Sequence, residues 1–186
     1  MRADIVPGSL FPDYSLATHE GKHRSLSEIQ GIDPLIVLLA RGHYCPKDAQ
    51  QHLELARAQA KFNVSYMGLV TISTDTIVVS REFRASVGAN WPFLSDPRRI
   101  VQKDLDIAEY TDPDHDPMIP HTIVLAPRLR VHSIYNGYWF VGRPTLAELW
   151  RDLREVFRQC RPDFDLAPAD VRARWPDKTQ FYPYPK

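Results

Sequence analysis

The chain has 186 residues, a length that suits one domain with a proper core, and its 23 lysines and arginines balance 23 aspartates and glutamates. That balance carries no bias toward nucleic acid or an anionic membrane as a partner. Two cysteines, Cys45 and Cys160, are too few for a secreted disulfide framework or a metal knuckle, no apolar run approaches the ~20 residues of a membrane span, and acidic residues and prolines break up the N-terminal MRADIVPGSLFPDY where a signal peptide would be apolar. The chain is therefore expected to be soluble and cytoplasmic, with neither metal nor cofactor.

In DYSLATHEGKHRSL the Glu20-Gly21 turn signal predicts a short hairpin, followed by a helical turn over SLSEIQ. This unit reads as an N-terminal extension at a sheet edge. PLIVLLA, 34–40, is a continuous apolar run bounded by Asp33-Pro34 and Arg41-Gly42, which suits a central strand covered on both faces. From Pro46 to Phe62, Ala49, Leu53, Ala56 and Ala60 recur at helical spacing, predicting a helix packed on a sheet. A second strand is expected over 64–73, and a helix over 74–88 ending at Gly88. WPFLSDPRR leads into a short helix to about Leu105, and an acidic loop, TDPDHDPMIP, precedes two strands in HTIVLAPRLRVHSIY that turn at Pro127. In TLAELWRDLREVFRQC, Leu146, Leu149, Trp150, Leu153, Val156, Phe157 and Cys160 fall on one helical face, and from about 161 an irregular tail follows. The alternation predicts a single α/β domain over 1–186, with a mixed central sheet and helices on both faces. Ligands in such folds gather at the carboxyl ends of strands, where Cys45 lies.

Cys45 stands directly before Pro46. With Pro46 as the first helical residue, Cys45 becomes the N-cap, its sulfur directed at the free amides of the first turn. Those amides and the positive helix terminus favour a thiolate, and Arg41 and His43 in the same loop are placed to add positive charge. The alternative is a small, inert, buried cysteine at a strand-to-helix turn.

The blocks PGSLFPDYSL, LIVLLARGHYCPKD, LVTISTD, WPFLSDP and IPHTIVL, in that order, resemble a peroxiredoxin-like protein of the alkyl hydroperoxide reductase and thiol-specific antioxidant group, in the thioredoxin-fold superfamily. The resemblance spans 7 to about 158. It implies a thioredoxin-like fold, Cys45 as the peroxide-attacking cysteine, and a cis peptide before Pro120 on a loop facing that cysteine. The segment is closest to the Arg-Gly-x-Trp/Tyr-Cys-Pro form, running through Arg41, Gly42, Tyr44, Cys45 and Pro46. Two positions depart from the typical pattern. Leu38 and Gly42 replace the proline and hydroxyl residue of Pro-x-x-x-Thr/Ser-x-x-Cys, and no arginine stands near Pro120. Asp48 occupies the place of a second cysteine and excludes an internal Cys-x-x-Cys pair; its plainer role is to satisfy amides at a helix start.

DPDHDPMIPH gathers Asp112, Asp114, His115, Asp116 and His121, all competent metal ligands, but in no recognisable ligand spacing, so a solvated acidic turn is the stronger reading. His121 points either toward Cys45 or away from it. The aromatic stretch YNGYWFVGRP, with Tyr138, Trp139 and Phe140, suits a pocket wall, a subunit contact in a homodimer or plain core.

These readings converge on a thiol oxidoreductase. The resemblance implies that the Cys45 thiolate attacks a hydroperoxide, becomes a sulfenic acid and is restored by an external thiol or thioredoxin-like reductant. Arg41 is the candidate for stabilising the thiolate and the developing charge, and Gly42, His43, Tyr44, Pro46 and Pro120 are expected to surround the site, with backbone donors from the Cys45 and Pro46 region. The rivals are a non-enzymatic thioredoxin-fold binding or redox-sensing module, and a thiol hydrolase using His43 or His121 as base.

Overall fold

The computed structural model describes residues 1–137, 142–160, 169 and 173. Tyr138, Trp139 and Phe140 of the aromatic stretch, and all but two residues of the tail from 161, lie outside the described residues. A seven-stranded mixed sheet runs in the order β2-β1-β5-β4-β3-β6-β7. Its strands are β1 (Ser15–Thr18), β2 (His23–Ser25), β3 (Leu35–Leu39), β4 (Gly68–Ser73), β5 (Phe93–Ser95), β6 (His121–Ala126) and β7 (Arg130–Asn136). The helices are α1 (Leu26–Gln30), α2 (Pro46–Val64), α3 (Ile77–Ser86), α4 (Ile100–Asp104) and α5 (Leu146–Cys160).

The apolar run at 34–40 forms β3, second only in centrality to β4, and every residue of it is buried. Its side chains alternate between two cores. Leu35, Val37 and Leu39 join Leu26, Val101, Leu105 and Met118 on one face, while Ile36 and Leu38 join Leu55, Phe62, Phe83, Leu149 and Leu153 on the other. Burying each such leucine stabilises the fold by about 1.5–3 kcal/mol. Helices α1 and α4 thus supply one cover, and α2, α3 and α5 the other. The hairpin β1–β2 sits at the sheet edge, turning through Gly21 at φ +84°.

Three differences from the sequence reading have physical causes. WPFLSDP supplies a parallel strand, β5, beside β4; three residues are too few to show periodicity. The helix α2 runs on to Val64, and 65–67 form the turn into β4, so the strand opens at Gly68 rather than at 64. The buried face of α2 is also rotated from the alanine series: Asp48, His52, Leu55, Ala58, Gln59 and Phe62 are buried, whereas Ala60 is exposed. Counting apolar residues misplaces that face because three of its members are polar. His52 explains one of them: Nδ1 bonds the Asp48 carbonyl at 2.7 Å, and Nε2 lies 2.9 Å from Thr71 Oγ1, which also accepts from Trp91 Nε1 at 2.9 Å. Burial lowers the His52 pKa, so the neutral ring fits this fully paired environment.

Cys160 ends α5 exposed rather than packed against the sheet, because the helix runs past the core after Val156. No helix among the described residues is long and apolar enough to cross a membrane.

Candidate active site

Strand β3 delivers the chain at the carboxyl edge of the sheet into the loop 40–45, and Pro46 opens α2 at once. Cys45 is the N-cap in extended conformation (φ −83°, ψ 114°) and is 2% exposed. Its main chain is engaged at both ends: the N–H donates to Gly42 O at 3.1 Å, and the carbonyl accepts from Ala49 N at 3.0 Å. The sulfur makes no capping hydrogen bond to the first turn, which corrects the expectation that it bonds those amides.

Two buried carboxylates shape the loop instead. Asp48 is 1% exposed and turns back from the first turn of α2, accepting from Arg41 N at 2.7 Å and Gly42 N at 3.3 Å. Its other oxygen forms an ion pair with Arg143 Nη2. Arg143 Nε also donates to Gln51 Oε1 at 3.1 Å, and Gln51 Nε2 donates to Thr122 Oγ1 at 2.9 Å. Strand β6, helix α2, the segment before α5 and the cysteine loop are thereby tied together. Asp75, just beyond β4, is the second carboxylate; it accepts from His43 N at 3.0 Å and Ser73 Oγ at 2.9 Å.

Gly42 shows why this loop departs from the hydroxyl-bearing pattern. It adopts φ +131°, and a Cβ added there would lie 2.9 Å from Asp75 Oδ2. A threonine or serine there would be strained by the backbone and would push the Asp75 carboxylate aside.

Arg41 projects from the end of β3 to the acidic loop. Its Nη2 donates to Asp112 Oδ2 at 2.8 Å, and its Nε lies 2.8 Å from Glu109 Oε2, off the line of a good hydrogen bond. Burial opposes its charge, but Tyr44, Glu109, Cys45 and Asp112 together hold its pKa above the usual guanidinium value. Tyr44 donates its hydroxyl to Asp112 at 3.1 Å, lies under the Arg41 guanidinium at 5.6 Å, and stacks on His115 at 3.6 Å between ring centroids. Burial pushes the Tyr44 phenol well above its ordinary range, so it remains a hydrogen-bond donor. His115 hydrogen-bonds Asp112 and holds that carboxyl below its usual value. The acidic loop is therefore built onto the cysteine loop, not merely solvated.

Pro120 comes to the same edge, because β6 runs antiparallel to β3 with His121 opposite Leu39. The described chain contains no cis peptide bond, so Ile119-Pro120 is trans, correcting the expectation from the resemblance. The Pro120 carbonyl accepts from Gly137 N at 2.7 Å, fixing the entry to β6 in extended form. His121 shares strand parity with Ile123 and Leu125, whose side chains belong to the core opposite α2, so it faces away from the cysteine helix. Its Nδ1 lies 2.8 Å from Ile119 O, and burial lowers its pKa.

The structure thus brings Arg41, Gly42, His43, Tyr44, Cys45 and Pro46 together with Asp48, Asp75, Glu109, Asp112 and Arg143. The sequence reading missed Asp75, Glu109 and Arg143 as site residues. Asp75 had one signal, a glycine in a strand-to-helix loop demanding close approach; the other two are ordinary charged residues until the fold assembles them.

A family model described as the AhpC/TSA family matches residues 7–134. No curated protein sequence matches the chain. Similar solved structures include the peroxidoxin BcpB from Mycobacterium tuberculosis, 18% identical with a TM-score of 0.69, covering 81% of this chain and 95% of that one. AhpC from Enterococcus faecalis is 14% identical with a TM-score of 0.71, covering 87% and 98%. A mutant PrxQ from Xylella fastidiosa is 15% identical with a TM-score of 0.67, covering 83% and 96%. At these identities the likeness shows the thioredoxin-type fold. With its family model spanning more than half its length, the chain belongs to the AhpC/TSA family and is a peroxiredoxin-like, thiol-dependent oxidoreductase.

Proposed function

We propose that Cys45 is the residue through which this protein reduces hydroperoxides. The Cys45 sulfur attacks the terminal peroxide oxygen, the O–O bond breaks, and the cysteine becomes a sulfenic acid that an external thiol or thioredoxin-like protein reduces. The observation that carries this reading is the placement of Cys45 as the N-cap of a 19-residue helix, with the paired guanidinium of Arg41 four residues before it. The helix terminus and the cation both favour negative charge on the sulfur and on the departing oxygen. Gly42, Tyr44, Pro46 and Pro120 shape the surroundings.

At 2% exposure the thiol admits a small peroxide far more easily than a second thiol. The reductive half of the cycle therefore requires local opening of the first turn of α2.

The test is peroxide consumption with a panel of thiol reductants, with intact-mass detection of a product 16 Da heavier, as oxygen addition requires, and its mapping to Cys45. No oxidation of Cys45 by any hydroperoxide overturns the reading. Arg41→Met should slow Cys45 alkylation at neutral pH several-fold, because a nearby cation is lost. An unchanged alkylation rate removes Arg41 from the thiol's electrostatics.

A further inference from the structure

His43 and Asp75 form a pair that the proposed cycle leaves unused. The Asp75 side chain is 8% exposed, and among the described residues no lysine or arginine forms a salt bridge with it. One oxygen takes the His43 main-chain N–H and the Ser73 hydroxyl. The other lies 2.8 Å from His43 Nδ1. An ionised carboxylate only accepts hydrogen bonds, so Nδ1 is the donor and Nε2 is the nitrogen free to exchange a proton. No described residue bonds Nε2, and the His43 side chain is half in solvent, two residues before Cys45. The Tyr44 ring meets the imidazole edge-on, with centroids 5.9 Å apart. This arrangement depends on Gly42, since a side chain there would collide with the Asp75 carboxylate.

Peroxide cleavage needs a proton on the leaving oxygen, and the usual donors are missing: position 42 carries no hydroxyl and position 120 no arginine. Arg41 is held by Glu109 and Asp112. We propose that His43, oriented by Asp75, is the general acid for the leaving group. The sulfur anion of Cys45 forms an S–O bond to the hydroxyl-bearing oxygen of ROOH while the O–O bond breaks. The RO⁻ released takes the Nε2 proton of the imidazolium, giving ROH, Cys45 sulfenic acid and neutral His43, which is reprotonated from water. Peroxide oxygen is reduced and sulfur is oxidised by two electrons, so no further reactant is needed. The inference rests on the reading of Cys45 as the peroxidatic residue.

The test compares single-turnover oxidation of the full chain and its H43Q variant by tert-butyl hydroperoxide, whose alkoxide leaves poorly, and by a peracid, whose carboxylate leaves without help. Iodoacetamide alkylation serves as a third probe that needs no acid. H43Q should lose about 10²-fold with the alkyl hydroperoxide, little with the peracid and nothing in alkylation. Free imidazole should restore part of the alkyl hydroperoxide rate to H43A, and Asp75→Asn should give an intermediate loss. Equal slowing of all three probes overturns the proposal, because His43 then only shapes the loop or the thiol, and so does slowing of none. A wild-type Cys45 that is alkylated but oxidised by neither peroxide brings down the peroxidase reading together with this one.

Discussion

At the C-terminal end of β3, Cys45 is buried within a network of Arg41, Asp48, Asp75, Glu109, Asp112 and Arg143. At the opposite end of the same strand, Cys160 is exposed in a groove of about 390 Å³ beside Gly31, Asp33, Pro34, Arg128 and Phe157. Partial burial raises the Cys160 pKa, and it terminates a helix, where the dipole disfavours an anion. The two thiols share a chain and a fold but not an electrostatic environment. Cys45 opens a helix four residues after a paired arginine, whereas Cys160 closes one beside apolar surface.

The sharpest way to break this contrast is Cys45→Ser. It should abolish thiol-dependent peroxide reduction in a steady-state consumption assay, leaving circular dichroism and melting nearly unchanged. Residual turnover at the parent rate would place the chemistry elsewhere.

Next in size is the buried pair under the Cys45 end. Asp48→Ala strands Arg143, whose side chain is 11% exposed, and removes the acceptor for two loop amides. Losing one partner of a buried pair costs about 3–5 kcal/mol, to be read from urea unfolding midpoints. A loss below about 1 kcal/mol, the range of surface pairs, would show that Asp48 contributes only as a surface charge does.

How much of this contrast was visible before the fold is uneven. The apolar run of β3, the proline after Cys45 and the face of α5 announce themselves because periodicity and helix-start chemistry are local properties. The Asp48–Arg143 pair joins residues 95 apart, and the Arg41–Asp112 pair residues 71 apart, so only tertiary structure reveals them. The acidic loop misleads for the same reason: a run of aspartates reads as solvated until Arg41 and Tyr44 are seen to occupy Asp112. His52 hid the true face of α2, being a polar residue bonded to the Asp48 carbonyl on its own helix and to Thr71 on β4.

That histidine gives the third prediction. Burial lowers the pKa of His52 and of His121, which are 0% and 4% exposed. The unfolded chain takes up protons on these rings below about pH 6.5, while the folded chain takes them up only at lower pH. Stability is therefore retained above that pH and lost on acidification, by up to about 1.4 kcal/mol per pH unit for each ring. Urea unfolding between pH 7 and 5, above most carboxylate titrations, should show this fall, and His52→Gln should flatten its slope. A slope unchanged in the variant would mean that His52 is protonated equally in both states.

The smallest expected effect is at the other end of the strand. Cys160→Ser should leave peroxide turnover unchanged and alter stability by no more than about 0.5 kcal/mol, the range of surface substitutions. The helical series that includes Leu153 and Val156 suggests a packed sulfur that contributes a little stability, but the exposure of Cys160 removes that contribution. Its separation from Cys45 is as informative as its exposure. Five residues of β3 intervene between the two ends, roughly 16 Å of strand, whereas a disulfide needs Cα atoms within roughly 7 Å. A bridge within one chain would require α5 or the start of α2 to leave the sheet. Peroxide-treated wild-type protein should accordingly give a peptide map with Cys45 oxidised and Cys160 still free. An intramolecular Cys45–Cys160 disulfide in that map would make Cys160 a resolving thiol and show that the two ends of the strand meet during the cycle.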